Sequence, residues 1–247
     1  MAAALRPIRH GLNPWSAVAL ALGSTRNLRF RGQRVRGANR GLLIELSKTV
    51  WGGEYDAPGF VPAAGEHVID VGANVGFFSV LAASRGARVA AYEPHPETFA
   101  FLAENTAPWG VACHRAAVVS RPPPRRKVPL WVHPTYDSRH SVIEGGAIDA
   151  DALDEAIEVD AVALSDVIGE GCDLLKLDCE GAEFDLLAHT APEALTRARR
   201  IVAETHERAG EVEAARARLV ELGFRTRFQE KAGGLGLLFA ARDGAAG

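Results

Sequence analysis

The chain has 247 residues, 47% hydrophobic and 24% charged, with a formal net charge of −3 at pH 7. That apolar share can fill the core of one α/β domain or, less readily, two small ones, and the total charge points to neither nucleic acid nor an acidic membrane as a partner. Three cysteines (Cys113, Cys172, Cys179) without paired spacing argue against a zinc site or disulfide framework and fit a reducing, cytoplasmic setting, and no apolar run approaches the roughly 20 residues of a bilayer span.

Residues 1–40 hold eight arginines and no acid, while residues 149–160 hold six acids and no base. Both read as solvated surface, and the basic segment is also placed to cover an anionic cofactor or substrate. Residues 16–23, SAVALALG, faintly resemble a signal peptide but are short for one, and the strand-like stretch after them reads as part of the fold. Residues 28–36 alternate apolar and basic side chains around a Gly-Gln turn, which predicts a β-hairpin. A short amphipathic helix follows over 42–50, then a breaker, WGGEY, and a proline-containing loop. Residues 1–65 are thus expected to be an extension packed on a domain spanning 66–247.

From residue 68 strands and helices alternate. Strands are predicted at 68–71, 88–93, a third strand region of two pieces at 111–114 and 116–119, 172–178 and 200–205, and helices at 77–84, 96–105, 161–168, 183–189 and 211–222. An inserted strand is expected at 128–132 and a mobile polar loop at 136–146. Two strands, 225–229 and 235–241, joined through Ala232-Gly233-Gly234, close the chain as a hairpin. The pattern predicts an α/β fold with a doubly wound, mostly parallel sheet and one antiparallel strand at its edge.

In such a sheet ligands bind beyond the carboxyl ends of the strands. The strand ends here carry Asp70, Glu93, the Ala116-Ala117 region, Asp178 and Glu204, so four of five positions hold carboxylates. The first strand runs into Gly72-Ala73-Asn74-Val75-Gly76 and then a helix, a glycine turn that brings backbone close to a ligand at a helix N-terminus. It departs from Gly-x-Gly-x-x-Gly, with Asn74 for the second glycine and Phe77 for the third. Asp70 beside the turn would repel a pyrophosphate and welcome a cationic amino or sulfonium group, which favours S-adenosyl-L-methionine over NAD. Glu93, 23 residues after Asp70, suits a ribose diol.

The stretches VIDVGANVGFFS, YEPHPETFAFLAEN and LLKLDCEGAEFDLL, with WGGEYD before them and IVAETH after, resemble the FkbM-type S-adenosylmethionine-dependent methyltransferases. The resemblance covers roughly residues 40–240. It implies a class I methyltransferase fold, Rossmann-like, with seven strands of which the last is antiparallel. It also implies that Asp70, Gly72, Asn74 and Gly76 surround the methionine part, that Glu93 holds the ribose, and that Ala116 and Ala117 lie near adenine. Members commonly methylate hydroxyl groups, often on sugars or natural products. O-methylation of a small-molecule acceptor is therefore the expectation, with N- or carboxyl-methylation, or a non-catalytic cofactor-binding module, as the alternatives.

Asp178, at the fourth strand's end, is the first candidate for binding the cofactor or orienting the nucleophile. His140 and His206 are candidate bases for a hydroxyl proton. Nothing has dedicated metal-ligand spacing, so no metal is assigned, and the sequence leaves the oligomeric state open.

Overall fold

The computed structural model describes residues 11–22, 27–37, 39–132, 142, 155–206, 209–231 and 235–242. The chain opens with α1 (Pro14–Leu22), β1 (Asn27–Phe30), β2 (Gln33–Arg36) and α2 (Arg40–Thr49). The hairpin turns at Arg31-Gly32, both at positive φ, one residue earlier than the expected Gly-Gln turn, because Gln33 already pairs with Phe30. Asn39 starts α2 by accepting the Leu42 N–H, as an N-cap does.

The alternating part then runs β3 (His67–Val71), α3 (Phe77–Ser84), β4 (Arg88–Tyr92), α4 (Pro96–Thr106) and β5 (Ala112–His114). It continues with β6 (Ala117–Val119), β7 (Lys127–Val132), β8 (Glu155–Ala163), α5 (Leu164–Ile168) and β9 (Leu174–Leu177). The last elements are α6 (Glu183–His189), α7 (Pro192–Leu195), β10 (Arg200–His206), α8 (Ala209–Glu221), β11 (Phe224–Glu230) and β12 (Leu235–Arg242).

Seven strands form one sheet in the order β11-β12-β10-β9-β3-β4-β5, parallel from β10 to β5. β12 runs antiparallel to both its neighbours. The expected antiparallel edge strand is corrected: β12 lies inside the sheet and β11 is the edge. Composition explains the choice. β12 is buried over Gly236–Ala240, whereas β11, FRTRFQE, carries a polar residue at every second position and tolerates an edge.

A second, three-stranded sheet places β8 between β6 and β7. Three expectations change here. The third strand region divides, β5 ending the main sheet while β6 leaves it. The acidic stretch is a strand from Glu155 onward, carrying an exposed Asp160–Lys127 ion pair at 2.9 Å. The helix expected over 161–168 is only Leu164–Ile168, because Ala161, Val162 and Ala163 pair with β6. The alternation of Ile157, Val159 and Ala161 with polar residues is the strand period that outweighs the helical reading. The polar loop expected at 136–146, apart from Val142, and the turn at 232–234 lie outside the described residues.

Strand alternation divides the core into two layers. Val68, Leu174, Val202 and Leu237 point to one face, and Ile69, Leu175, Ile201 and Leu238 to the other. The second face is covered by α5 to α8, where Val212, Ala215 and Leu219 form the buried stripe of α8. The first is covered by α3 together with the N-terminal segment, which is therefore a layer of the core. Trp51, fully buried, is stacked between Phe30 at 4.3 Å and Phe77 at 4.2 Å, and Phe60 meets Phe239 edge-on. Phe77, occupying a glycine's place in the dinucleotide pattern, thus has an aromatic partner from the extension. Among the described residues no helix is long and apolar enough to cross a membrane.

Candidate active site

The order of strands opens a crevice between β3 and β9, where the chain, having added β4 and β5 on one side, resumes on the other. The turn after β3 closes onto it. Gly72, Asn74 and Gly76 have φ of 73°, 51° and 91°. At Gly72 a side chain is impossible, since a Cβ would stand 1.7 Å from the Asp178 carbonyl oxygen. The turn after β3 and the end of β9 are therefore in backbone contact.

The turn is tied down by its neighbours. Gly72 and Ala73 donate their N–H groups to the Tyr92 carbonyl at the end of β4. Asn74 N–H donates to Glu93 Oε2 at 3.0 Å, and His95 N–H to Glu93 Oε1 at 2.9 Å. Asn105 of α4 accepts from Arg36 N–H and donates to the carbonyls of Arg36 and Val75, each at 2.7 Å, joining β2 to the turn. Glu93 is buried, and burial pushes its pKa up to about 7 despite the two backbone bonds that favour its charge. The N-cap of α4 is His95, whose ring accepts from Thr98 N–H. Each Glu93 oxygen retains acceptor capacity beyond its one backbone bond.

Asp70 departs from its expected place. It is wholly buried beneath the turn, accepting from Ser79 Oγ at 2.6 Å and from Lys176 Nζ at 3.0 Å. Its charge meets an ammonium and does not face a ligand, so the electrostatic reason for preferring a cationic cofactor does not rest on Asp70. Ala117 is also displaced, turned into the small sheet's interior with Leu130 and Val159, while Ala116 links β5 to β6.

The negative charge facing the crevice comes from its other side. Lys176, in the middle of β9, binds Asp70, lies 3.3 Å from Asp178 and donates to the Gly72 carbonyl. Burial works against its charge, but Asp70 and Asp178 outweigh burial and hold its pKa above the ordinary lysine value. Asp178, 23% exposed at its side chain, lies 3.1 Å from the Tyr55 hydroxyl, which is also 3.0 Å from Glu204 at the end of β10. Lys231 donates to Glu204 Oε1 at 2.9 Å and also pairs with Glu54. Among the described residues, Asp70, Asp178, Glu204 and Glu54 thus share two ammonium groups, which leaves surplus negative charge in this cluster.

Burial, then the charges of Asp178 and Glu204, raise the Tyr55 pKa well above the ordinary phenol value. The turn after Asp178 is shaped by Glu183, whose fully buried carboxylate accepts the N–H groups of Cys179 at 2.5 Å and Gly181 at 2.9 Å. Glu183, in the first turn of α6, is therefore a lock on the Asp178 loop. Among the described residues no group of three or more His, Cys, Asp or Glu is placed to hold a metal ion.

Of the expected site residues, Gly72, Asn74, Gly76 and Glu93 come together at the ends of β3 and β4, with Asp178 across the crevice. His206 ends β10, two residues beyond Glu204, and His140 lies outside the described residues. Tyr55, Lys176, Glu54 and Lys231 were not read from the sequence as site residues. Lys176 had a signal, a lysine amid leucines in a strand buried on both faces, which requires a partner charge. Tyr55 and Glu54 lie in WGGEYD, read above as a helix breaker and as one stretch of the family resemblance, with no site role attached.

The profile described as Methyltransferase FkbM domain matches residues 70–226. The 31-O-demethyl-FK506 methyltransferase FkbM of Streptomyces tacrolimicus is 33% identical over 172 residues, 58% of this chain and 66% of that protein. The AMB antimetabolite synthetase AmbE of Pseudomonas aeruginosa is 29% identical over 75% of this chain and 10% of its own length. The chain spans just under two thirds of the first relative and a tenth of the second. Among solved structures, Methyltransferase FkbM from Methylobacillus flagellatus KT aligns over 97% of this chain and 58% of that one, at 12% identity and a TM-score of 0.49.

Proposed function

This chain belongs to the FkbM methyltransferase domain family, whose methyl donor is S-adenosyl-L-methionine, and we propose that it methylates a hydroxyl group of a small molecule. The observation that carries the reading is the pair of unlike acceptor sets across one crevice. On the β4 side, Glu93 offers carboxylate oxygens suited to a ribose diol. On the β9 side, Asp178 and its neighbours form a rim with surplus negative charge, suited to a cationic amino or sulfonium group. The relative from Streptomyces tacrolimicus is named for an oxygen acceptor, which supports the same choice of atom.

When bound, S-adenosyl-L-methionine supplies a methyl group already activated on sulfur, so the protein's task is placement and proton removal. In this reading Gly72, Asn74 and Gly76 shape the backbone cradle, Glu93 fixes the ribose, and Ala116 borders the adenine. Asp178 faces the positive end of the donor, with Lys176 and Tyr55 fixing its orientation from below and beside it. Tyr55 and Phe78 meet edge-on at 5.4 Å, and the buried Lys176 lies over both rings. His206, from its place at the end of β10, and His140 remain the histidine candidates for accepting a hydroxyl proton.

Isothermal calorimetry with S-adenosylhomocysteine tests the donor half: one binding site is expected and none for NAD. Transfer of labelled methyl from S-adenosyl-L-methionine to a panel of sugars and hydroxylated metabolites tests the acceptor half. An alkali-stable methyl ether is the expected product, whereas an alkali-labile ester or an N-methyl product would overturn the hydroxyl assignment.

A further inference from the structure

Glu204 lies two residues before the end of β10, beyond β9 from the glycine turn and on the side of the crevice away from Glu93. With neighbouring strands about 4.8 Å apart, it stands on the order of 10 Å from the turn's own strand, on the acceptor side of Asp178. Its side chain is 16% exposed and so reachable from the rim. Among the described residues, the charged and titratable groups that face it are Tyr55 and Glu54 from the N-terminal segment, Asp178 from the β9 loop, and Lys231 after β11.

The geometry around the phenol is unusual in its proton count. Tyr55 Oη lies 3.1 Å from Asp178 and 3.0 Å from Glu204. A phenol carries one proton and an ionised carboxylate none, so both contacts are hydrogen bonds only when one carboxyl is protonated. Asp178 already has the Lys176 ammonium at 3.3 Å. Glu204 shares Lys231 with Glu54, and burial, then the Asp178 charge, lift its pKa to about 7 although Lys231 opposes the rise. The cluster is thus arranged to take up one proton, and Glu204 is where it settles.

We propose that Glu204 is a catalytic residue that accepts the proton of the acceptor hydroxyl, with Tyr55 and Lys231 holding its carboxylate toward the crevice. The assignment rests on the methyl-transfer reading above. In the step, the acceptor oxygen forms a C–O bond to the methyl as the C–S bond breaks with its electron pair kept by sulfur. The hydroxyl proton passes to Glu204, and solvent then removes it. Tyr55 keeps its own proton throughout and turns it toward whichever of Asp178 and Glu204 is ionised. A base at this position also explains why a phenol with a raised pKa sits between two acids: it orients them without competing for the substrate's proton.

The test uses the full chain and two probes that need no known acceptor. S-adenosylhomocysteine has no charge at the methyl position, whereas sinefungin carries an amine there. The ratio of their affinities by calorimetry reads only the groups near that position, because Glu93 meets the nucleoside in both. At pH 8 sinefungin is expected to bind about tenfold more tightly, a difference of about 1.4 kcal/mol, with the advantage shrinking below pH 7. In Glu204→Gln, S-adenosylhomocysteine affinity should stay within about threefold while the sinefungin advantage and its pH dependence are largely lost.

Survival of both in Glu204→Gln overturns the assignment. Carboxyl-¹³C spectra of glutamate-labelled wild-type protein give a reading that does not depend on the variant's ligand binding. Two glutamates should titrate near pH 7, and the one whose signal is absent from Glu204→Gln should shift its midpoint down with sinefungin and not with S-adenosylhomocysteine. An equal response of that signal to the two probes overturns the proposal. Failure of the wild type to bind S-adenosylhomocysteine at all would instead remove the methyl-transfer reading beneath it.

Discussion

The two sides of the crevice are built in opposite ways. On the β4 side the turn Gly72–Gly76 and Glu93 are held by backbone N–H groups within a short stretch of chain. On the β9 side, side chains from WGGEYD, β9, β10 and the segment after β11 meet around one phenol. The first side is a rigid fixture that any ribose-bearing donor could use. The second is a charge-dense cluster whose members depend on one another, and there specificity for the positive end of the donor and for the acceptor can reside. The difference teaches that the two sides rest on separate networks, joined where Gly72 meets Asp178 and where Lys176 reaches the Gly72 carbonyl and Asp70.

The comparison breaks most severely at Lys176. Replacing it by methionine leaves Asp70 and Asp178 without their shared cation, and a loss of about 3–5 kcal/mol in unfolding free energy is expected by chemical denaturation. Adding Asp70→Asn should restore part of that loss, since the fully buried charge is then gone. Trp51→Ala comes next, expected to cost about 3–5 kcal/mol by removing the ring between Phe30 and Phe77. Because this damages the layer behind α3 and not the charge cluster, donor affinity per folded molecule should fall less than stability does.

Glu93→Gln sharpens the contrast. It weakens charge-assisted bonds worth about 1.5–3 kcal/mol each, so S-adenosylhomocysteine affinity is expected to fall by about 10–100-fold in calorimetry. Tyr55→Phe, on the other side, should leave that affinity within about threefold while slowing methyl transfer.

The smallest effect is on pH dependence. Glu93 and Glu204 both have pKa values raised to about 7, first by burial. Between the ordinary carboxylate range and pH 7 the folded protein holds protons that the unfolded chain has released, so their contribution to stability declines as pH rises through that window. Denaturation midpoints of the ligand-free protein should therefore be higher near pH 5.5 than at pH 8, with the difference reduced in Glu204→Gln.

The sequence was most legible where function is local. The strand-turn-helix at 68–84 is encoded by three apolar residues around Asp70, three positions of positive φ and a run of small and apolar helix residues, all adjacent in the chain. The parallel order followed from alternation. The place of β12 was missed although its signal was present, in the contrast between the apolar run of β12 and the polar alternation of β11. Residues 155–163 were misread because their charge count hid the period-two pattern beneath it. Tyr55 and Lys231 were out of reach for a different reason. Their partners are 123 and 149 residues away for Tyr55, and 27 for Lys231, and only folding brings an aromatic from a breaker segment onto two strand ends. Asp70 was identified correctly as an acid beside the turn, yet its role depends on Lys176, 106 residues later.

A crystal structure with S-adenosylhomocysteine tests the division of labour most directly. The ribose hydroxyls are expected on Glu93, with the sulfur turned toward Asp178 and the Tyr55–Glu204 pair across the crevice. A ribose bound away from Glu93, or a sulfur facing the β4 side with Asp178 and Glu204 remote from it, would contradict the account.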